Sequence, residues 1–244
     1  MDSVTVYLLK TSLIEENLDY ITSFVDEDRK EKALKFASEQ DLLLSFGAGY
    51  LMKKYLPNKE YRYTEYGKPY FIDGPYFNVS HSGEYAVLAI SHSRDIGVDI
   101  EKINENKLDG IHYVLNEKEK NIEDLQSLFR IWTNKESITK CISTGIRDIK
   151  KVSGLPFDAE RVFENNSYFT KSLIFKNYSL SVTLIKKDPF ELNLKEINSL
   201  VLQWFLDKDN RKCNYKLRWI ISYCVWYKVK RFIVSFSKIS EIEN

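Results

Sequence analysis

Helix-like and strand-like segments follow one another in the same order twice along this 244-residue chain. Residues 38–57 carry apolar side chains at helical spacing, and strand-like segments follow at 76–80, 85–91 and 96–101. Residues 107–143 are again helical in pattern, and strand-like segments return at 167–175 and 178–185. A helix followed by a sheet, repeated once, predicts an α+β protein of two similar α/β halves.

The predicted organisation has three parts. Residues 1–105 form the first half, and residues 106–190 form the second half. Residues 191–244 form an additional C-terminal helical tail, in which aromatic residues are interleaved with Lys and Arg. Such a tail can dock an acidic protein or an anionic membrane surface, or it can pack on the body of the protein with its lysines extended into water.

Composition argues against several classes of protein. Lys and Arg total 36 against 35 Asp and Glu, so the chain lacks the basic excess of a nucleic-acid-binding protein. The late apolar run at residues 219–227 is far shorter than the ~20 residues of a membrane span, and the N-terminus lacks the positive charge of a signal peptide. Three cysteines without a CxxC pair are typical of reduced thiols. We therefore expect a cytoplasmic protein.

Two carboxylates share one face of the predicted strand at residues 96–101. Alternation along the strand places isoleucine and valine on one face, and Asp99 and Glu101 about 7 Å apart on the other. Carboxylates this close repel each other, and bound Mg²⁺ or Mn²⁺ relieves the repulsion. Asp-x-Glu is common by chance, so an exposed acidic strand face is the alternative interpretation.

A second candidate site lies on the predicted helix of the second half. Leu125, Phe129 and Trp132 begin a stripe at helical spacing, and Glu136 and Lys140 continue it. An apolar stripe that ends in a carboxylate and an ammonium group can deliver both to a partly buried site. An ordinary exposed Glu–Lys pair four residues apart explains the same pattern.

The third candidate is the sequence Phe-Asn-Val-Ser-His-Ser-Gly at residues 77–83, read as a strand that runs into a turn. A turn of small residues can present backbone N–H groups, the Ser80 hydroxyl and the His81 imidazole to a phosphate. Adjacent strand residues point to opposite faces, so this Ser–His pair cannot form the hydrogen bond of a nucleophilic site. A histidine with a purely structural role is the alternative.

The motifs are more specific together than singly. Gly-Lys-Pro at 67–69, Phe-Asn-Val-Ser-His-Ser at 77–82, Gly-Val-Asp-Ile-Glu at 97–101 and Trp-Thr-Asn-Lys-Glu-Ser-Ile-Thr-Lys at 132–140 resemble, in this order, the motifs of the 4′-phosphopantetheinyl transferase superfamily. The resemblance extends over about residues 1–190. It is greatest to the monomeric, two-half type that activates peptide synthetases such as the surfactin enzyme.

This resemblance implies a fold and an activity. It implies two halves related by a pseudo-two-fold axis, with coenzyme A bound between them. The expected reaction transfers the 4′-phosphopantetheine moiety of coenzyme A to a serine of an acyl- or peptidyl-carrier protein and releases adenosine 3′,5′-bisphosphate. Mg²⁺, or Mn²⁺, is the expected cofactor, and the carrier protein supplies the nucleophile.

The resemblance also implies roles for individual residues. The expected metal ligands are Asp99, Glu101 and Glu136. Glu136 or Glu119 is expected to take the proton of the carrier serine, and Lys140 to neutralise the phosphate or the leaving group. The alignment at Glu119 is loose, because Glu117 is equally near. The expected coenzyme-binding residues are Lys68, Pro69, Ser80, His81, Lys140, Arg29, Lys32 and Lys35.

Two positions depart from the family pattern. Leu44 stands where relatives carry an arginine on the first long helix, which leaves Arg29, Lys32 and Lys35 as candidates for binding the coenzyme 3′-phosphate. The glycine-rich stretch after the Glu136 helix reads Ile-Ser-Thr-Gly at 142–145, with one glycine retained.

Two other functions compete with the transferase. A catalytically degenerate member that only binds carrier protein is consistent with the missing basic residues. A metal-dependent nuclease is suggested by Asp-Ile-Glu-Lys at 99–102, but it fits poorly because Lys102 points away from both carboxylates in a strand.

Overall fold

The computed structural model describes residues 2–57, 60–163, 166–185 and 188–198. The strands are β1 (Ser3–Lys10), β2 (Arg62–Tyr63), β3 (Pro69–Tyr70), β4 (Tyr76–Ser82), β5 (Tyr85–Ser91), β6 (Ile96–Lys102), β7 (Ala159–Phe163), β8 (Asn166–Phe175), β9 (Tyr178–Leu184) and β10 (Glu191–Ile197). The helices are α1 (Thr11–Glu16), α2 (Leu18–Phe24), α3 (Glu27–Leu34), α4 (Glu39–Tyr55), α5 (Leu108–Val114) and α6 (Leu125–Ile142). The described part of the chain holds no helix with the length and apolar character needed to cross a membrane.

Two four-stranded sheets form the frame, and three strands correspond between them: β1-β5-β4 matches β6-β9-β8, while the fourth strands, β10 and β7, lie at opposite edges. The first has the order β10-β1-β5-β4 and the second the order β6-β9-β8-β7. In each sheet the first strand of the half pairs antiparallel with the last strand of a hairpin, which is β5 for β1 and β9 for β6. This arrangement confirms the predicted α+β fold with two sheet-containing halves.

The prediction of a helical tail from residue 191 is wrong for its first seven residues. These residues form β10, which pairs in parallel with β1 so that Val4 lies opposite Leu192. Tertiary pairing overrides the helix-forming composition of this segment, Glu-Leu-Asn-Leu-Lys-Glu-Ile. The rest of the predicted tail, residues 199–244, lies outside the described residues. The chain crosses between the sheets at residues 92–95, so β6 pairs with the second sheet although it precedes residue 105.

Helix boundaries follow the capping residues. The hydroxyl of Ser38 accepts a hydrogen bond from the Asp41 backbone N–H at 3.3 Å and starts α4, as the sequence predicts. The second helical stretch consists of two helices, with residues 115–124 between them. The carboxylate of Asp124 caps α6 by accepting from the Ser127 N–H at 2.8 Å. This longer helix supplies the second-half residues of the candidate site.

The main core lies between the two sheets. Side chains from β1, β5, β6 and β9 meet there, and Ile96, Val98 and Ile100 are fully buried in it. The opposite face of the first sheet packs on α1–α4, and the opposite face of the second sheet packs on α6. The predicted apolar face of β6 is thus confirmed, and Asp99 and Glu101 lie on the α6 side.

The contact between β6 and α6 requires a glycine at position 97. A Cβ on Gly97 would lie 1.9 Å from the Ser137 carbonyl oxygen and 2.5 Å from the Cys141 backbone nitrogen. We expect Gly97→Ala to lower the free energy of unfolding by about 2 kcal/mol, because backbone atoms have to move apart. Urea denaturation measures the change. Gly110→Ala is the control, since a Cβ on Gly110 has open space and alanine favours the helix. Equal midpoints for wild type and Gly97→Ala would contradict the close packing.

Candidate active site

Side chains rather than backbone pairing join β4 to β6. Alternate residues of β4 face β6, and their oxygens accept hydrogen bonds from its backbone N–H groups: Asn78 from Val98 at 3.0 Å, Ser80 from Ile100 at 3.4 Å and Ser82 from Lys102 at 3.1 Å. This spacing of two residues also brings the two serine hydroxyls beside the carboxylates on β6. The side-chain contacts that connect the two sheets therefore lie at the same place as the Asp99 and Glu101 carboxylates.

Asp99 is the centre of a buried polar cluster. Its Oδ1 accepts from the Ser80 hydroxyl at 2.8 Å and from the Lys140 ammonium at 2.6 Å. Its Oδ2 is buried and has no hydrogen-bond partner. Lys140 also donates to the Ser80 hydroxyl at 3.1 Å and lies 4.0 Å from a carboxylate oxygen of Glu136. One turn of α6 thus presents Glu136 and Lys140 to the carboxylate on β6, as their spacing of four residues predicts.

Glu101 has its own two partners. Its Oε2 accepts from the Ser82 hydroxyl at 2.7 Å and from the Lys107 ammonium at 2.5 Å. Its side chain is 18% exposed, so Glu101 lies nearer to solvent than Asp99. A lysine ammonium group therefore lies against each of the two β6 carboxylates.

A cavity of about 350 Å³ opens over these groups. Acidic, basic and hydroxyl side chains meet in it with a few apolar ones, and its lining consists of Arg29, Lys32, Phe36, Ser45, Ala48, Val79, Ser80, His81, Asp99, Glu101, Glu136 and Lys140. Elements of both halves contribute, chiefly α3, α4 and β4 from the first and β6 and α6 from the second. The cavity can therefore hold an anionic ligand between basic side chains on one side and a carboxylate cluster on the other.

Burial and the repulsion of neighbouring carboxylates raise the pKa of Asp99 and of Glu136. Burial raises the pKa of Asp99 to about 7, with Glu136 and Glu101 adding to the effect and Lys140 opposing it. Burial also raises the pKa of Glu136. Burial lowers the pKa of Lys140, but Asp99 and Glu136 outweigh it and the net pKa is raised. Burial and the neighbouring Lys140 cation lower the pKa of His81. The raised carboxyl pKa values indicate that the cluster lacks enough positive charge to balance its carboxylates.

The donor set suits a hard divalent cation. Carboxylate oxygens are the ligands that Mg²⁺ prefers, and the unpartnered Asp99 Oδ2 is available to one. Three metal-ligating side chains do not already converge on one point among the described residues. Lys140 and Lys107 hold two of the carboxylates instead, so a cation has to displace them.

The pKa of Asp99 has a consequence for stability. The folded protein binds a proton at Asp99 with a pKa of about 7, compared with 3.8 for the ordinary group. Between these values the folded state binds more protons than the unfolded chain, so the free energy of unfolding falls as pH rises. Without divalent cations we expect wild type to lose about 3 kcal/mol relative to Asp99→Asn between pH 4 and pH 7. Urea denaturation at both pH values measures it, and a pH-independent difference would contradict the buried carboxyl.

Glu119 is not brought to this cavity. Its carboxylate is fully buried, 2.9 Å from the fully buried Lys135 ammonium. It also accepts hydrogen bonds from the backbone N–H groups of Asn116 at 2.9 Å and Gly154 at 2.7 Å. Lys135 lies about 100° around the helix from Glu136, so the pair points away from the Asp99 cluster. The arrangement fits a structural ion pair.

Three of the predicted coenzyme-binding residues are also outside the lining of the cavity. Lys68 is buried against Asp95 and the end of α6, Pro69 is buried in β3, and Lys35 is exposed after α3. Ser80 and His81 do line the cavity, but they lie within β4 and not in a turn. Leu44 is buried in the core of the first half, and its neighbour Ser45 lines the cavity instead.

Sequence reasoning missed two partners of the acidic pair. Ser82 shares the alternating face of β4 with Ser80, so the period of two could have identified it. Lys107 ends a short 3-10 helix just before α5, and no local pattern indicates its contact with Glu101.

Comparison with known proteins shows clear relatives. A sequence profile described as "4′-phosphopantetheinyl transferase superfamily" matches residues 95–194. The chain is similar to the "4′-phosphopantetheinyl transferase gsp" of Aneurinibacillus migulanus, 29% identical over 190 residues that cover 71% of this chain and 75% of the relative. It is similar to the "4′-phosphopantetheinyl transferase ffp" of Bacillus subtilis, 31% identical over 153 residues, or 55% of this chain and 67% of the relative. The "L-aminoadipate-semialdehyde dehydrogenase-phosphopantetheinyl transferase" of Xenopus laevis is 28% identical over 152 residues, half of each chain.

Proposed function

The chain belongs to the 4′-phosphopantetheinyl transferase superfamily, and we propose that it transfers the 4′-phosphopantetheine moiety of coenzyme A to a serine of an acyl- or peptidyl-carrier protein. The observation that carries the proposal is the cavity whose lining combines the Asp99, Glu101 and Glu136 carboxylates with Arg29 and Lys32. Coenzyme A carries a pyrophosphate and a 3′-phosphate, so its charges complement such a cavity.

The proposal includes Mg²⁺, or Mn²⁺, held by Asp99, Glu101 and Glu136. When bound, the cation neutralises negative charge on the pyrophosphate oxygens. Two features of this chain support the assignment: the orphaned Asp99 Oδ2, and the raised pKa values of Asp99 and Glu136. A cation bound here would give Asp99 Oδ2 a partner and would lower the raised pKa values.

The reaction requires one bond to form and one to break. The carrier serine oxygen attacks the β-phosphorus of coenzyme A, and the bond from that phosphorus to the bridging oxygen breaks. Adenosine 3′,5′-bisphosphate leaves. We assign the serine proton to Glu136, because its carboxylate lines the cavity whereas that of Glu119 is buried against Lys135. Lys140 donates hydrogen bonds to the phosphate oxygens or the leaving group.

The remaining basic and hydroxyl groups bind the nucleotide end. Arg29 is 7% exposed, and its Nε is buried without a hydrogen-bond partner. A buried guanidinium without a carboxylate is stabilised by an anion, so we assign Arg29 and Lys32 to the 3′-phosphate. Ser80 and His81, on the opposite wall, face the pyrophosphate. The site takes all its residues from one chain, and we propose a monomeric, cytoplasmic enzyme.

Release of adenosine 3′,5′-bisphosphate tests this function. The protein is incubated with coenzyme A, Mg²⁺ and an apo carrier protein, and the nucleotide products are separated by liquid chromatography. We expect release that depends on the carrier, on Mg²⁺ and on the carrier's modified serine, with a serine-to-alanine carrier as the control. Coenzyme A binding without release would instead identify a degenerate member that only binds.

A further inference from the structure

We propose that Lys68 is a positioning residue of this active site, which acts by fixing α6 against β6 and not by contacting coenzyme A. The inference rests on the proposed function, because it concerns the geometry of the proposed catalytic and metal-binding groups. In this role the lysine of the Gly-Lys-Pro motif connects β6 and α6, the two elements that carry those groups.

The Lys68 ammonium is almost completely enclosed. Its side chain is 7% exposed, and its Nζ donates to Asp95 Oδ1 at 2.5 Å and to the Cys141 carbonyl oxygen at 3.0 Å. Asp95 and Cys141 are themselves in contact, since the Cys141 thiol lies 3.5 Å from the Asp95 carbonyl oxygen. Lys68 thus joins two chain segments that already touch.

Both partners of Lys68 are next to site residues. Asp95 immediately precedes β6 and lies four residues before Asp99. Cys141 follows Lys140 directly in the last turn of α6. The register between these two elements determines whether the Lys140 ammonium reaches Asp99, which it does at 2.6 Å. A change of this register by about 1 Å is enough to separate them.

The hairpin that carries Lys68 is built to hold it in place. The Lys68 backbone N–H donates to the Thr64 hydroxyl at 3.1 Å, and its carbonyl accepts from the Thr64 N–H at 2.9 Å. Gly67 takes a positive φ of 79°, which closes this turn between β2 and β3. At its tip, the Tyr66 ring lies 5.5 Å from the Arg147 guanidinium, just beyond the end of α6. Two independent contacts, one made by Lys68 and one by Tyr66, therefore hold the β2–β3 hairpin against the end of α6.

The charges at the joint are matched. The last four carbonyl groups of a helix lack partners within the helix and carry partial negative charge, so an ammonium at Cys141 is favourable there. The Asp95 carboxylate balances the remaining charge of Lys68. A lysine that left this place to bind a phosphate would leave the Cys141 carbonyl without its buried donor, and it would leave Asp95, whose side chain is 40% exposed, without its cation.

Removing either side of the ion pair tests the role. Lys68→Met and Asp95→Ala are compared with wild type for kcat, for KM of coenzyme A, and for Mn²⁺ affinity of the free protein by electron paramagnetic resonance. We expect both variants to lower kcat and weaken Mn²⁺ binding by about tenfold, with KM for coenzyme A changed less than about twofold. Lys68→Arg keeps both hydrogen bonds within reach and is expected to retain most of the activity. Lys151→Met is the control, because Lys151 pairs with Asp148 three residues away and joins no site-bearing elements.

Each alternative has its own outcome. A raised KM for coenzyme A in Lys68→Met, with normal Mn²⁺ binding and a normal Asp95→Ala variant, would make Lys68 a direct coenzyme ligand and overturn the proposal. Loss of stability in urea with unchanged Mn²⁺ affinity and kcat would overturn it as well. If Lys68→Met does not fold, Lys68→Arg and Asp95→Ala decide the question. Mn²⁺ binding is measured without carrier protein or coenzyme A, so a failed transferase assignment leaves this comparison intact.

Discussion

We expect Asp99→Asn to reduce transfer of phosphopantetheine by about a thousandfold or more, while the protein remains folded. The substitution keeps the shape of the side chain and removes the negative charge at the centre of the cluster. Asp99 Oδ2 is the buried oxygen without a partner, and Oδ1 holds the Lys140 ammonium at 2.6 Å. The variant therefore loses the proposed cation ligand and the anchor of the proposed catalytic lysine together.

Steady-state formation of holo-carrier protein at saturating Mg²⁺ measures this effect, with circular dichroism as the check on folding. Asp109→Asn is the control, since Asp109 is an exposed aspartate on α5 outside the lining of the cavity. An Asp99→Asn variant with Mg²⁺-dependent activity within tenfold of wild type would show that the proposed metal site is misplaced.

Glu119→Gln has the largest expected effect on stability. The Glu119–Lys135 pair has no solvent exposure on either side, and the two charged groups are 2.9 Å apart. Without the carboxylate, Lys135 loses its counter-charge and is left with neutral acceptors such as the carbonyl oxygens of Ile149 and Val152. An uncompensated buried charge costs about 3–5 kcal/mol, so we expect the free energy of unfolding to fall by that amount. Urea denaturation measures it.

Two further variants show whether the stranded Lys135 charge causes the loss of stability in Glu119→Gln. The double variant Glu119→Gln with Lys135→Met is expected to recover most of the loss, because it removes the stranded charge as well. Glu117→Gln is the matched control, since Glu117 pairs with Lys120 on the surface and contributes little. A stable Glu119→Gln protein that cannot turn over would contradict the structural role and restore Glu119 as the proton acceptor.

Local periodicity was enough to predict the acidic side of the site. Alternation along β6 separates Asp99 and Glu101 from the buried isoleucines, and helical spacing aligns Glu136 with Lys140. Both patterns are visible in the sequence because β6 and α6 each bury one apolar face. The strand-like segments at 85–91 and 178–185 were also predictable, and they form β5 and β9.

Contacts between distant segments were not predictable in this way. Lys68 and Asp95 are 27 residues apart, and Lys68 and Cys141 are 73 apart, so no local pattern links them. The pairing of β10 with β1 joins opposite ends of the described chain. Glu119 illustrates the same limit, because its burial with Lys135 depends on how the segment before α6 folds back on that helix.

Intact-mass spectrometry of an apo carrier protein tests the central claim most directly. The carrier is incubated with this protein, coenzyme A and Mg²⁺, with and without a chelator. The account predicts a gain of one phosphopantetheine, about 340 Da from its formula, that disappears with the chelator and with Asp99→Asn. An unchanged mass for several acyl- and peptidyl-carrier proteins, in the presence of folded protein that binds coenzyme A, would contradict the transferase assignment.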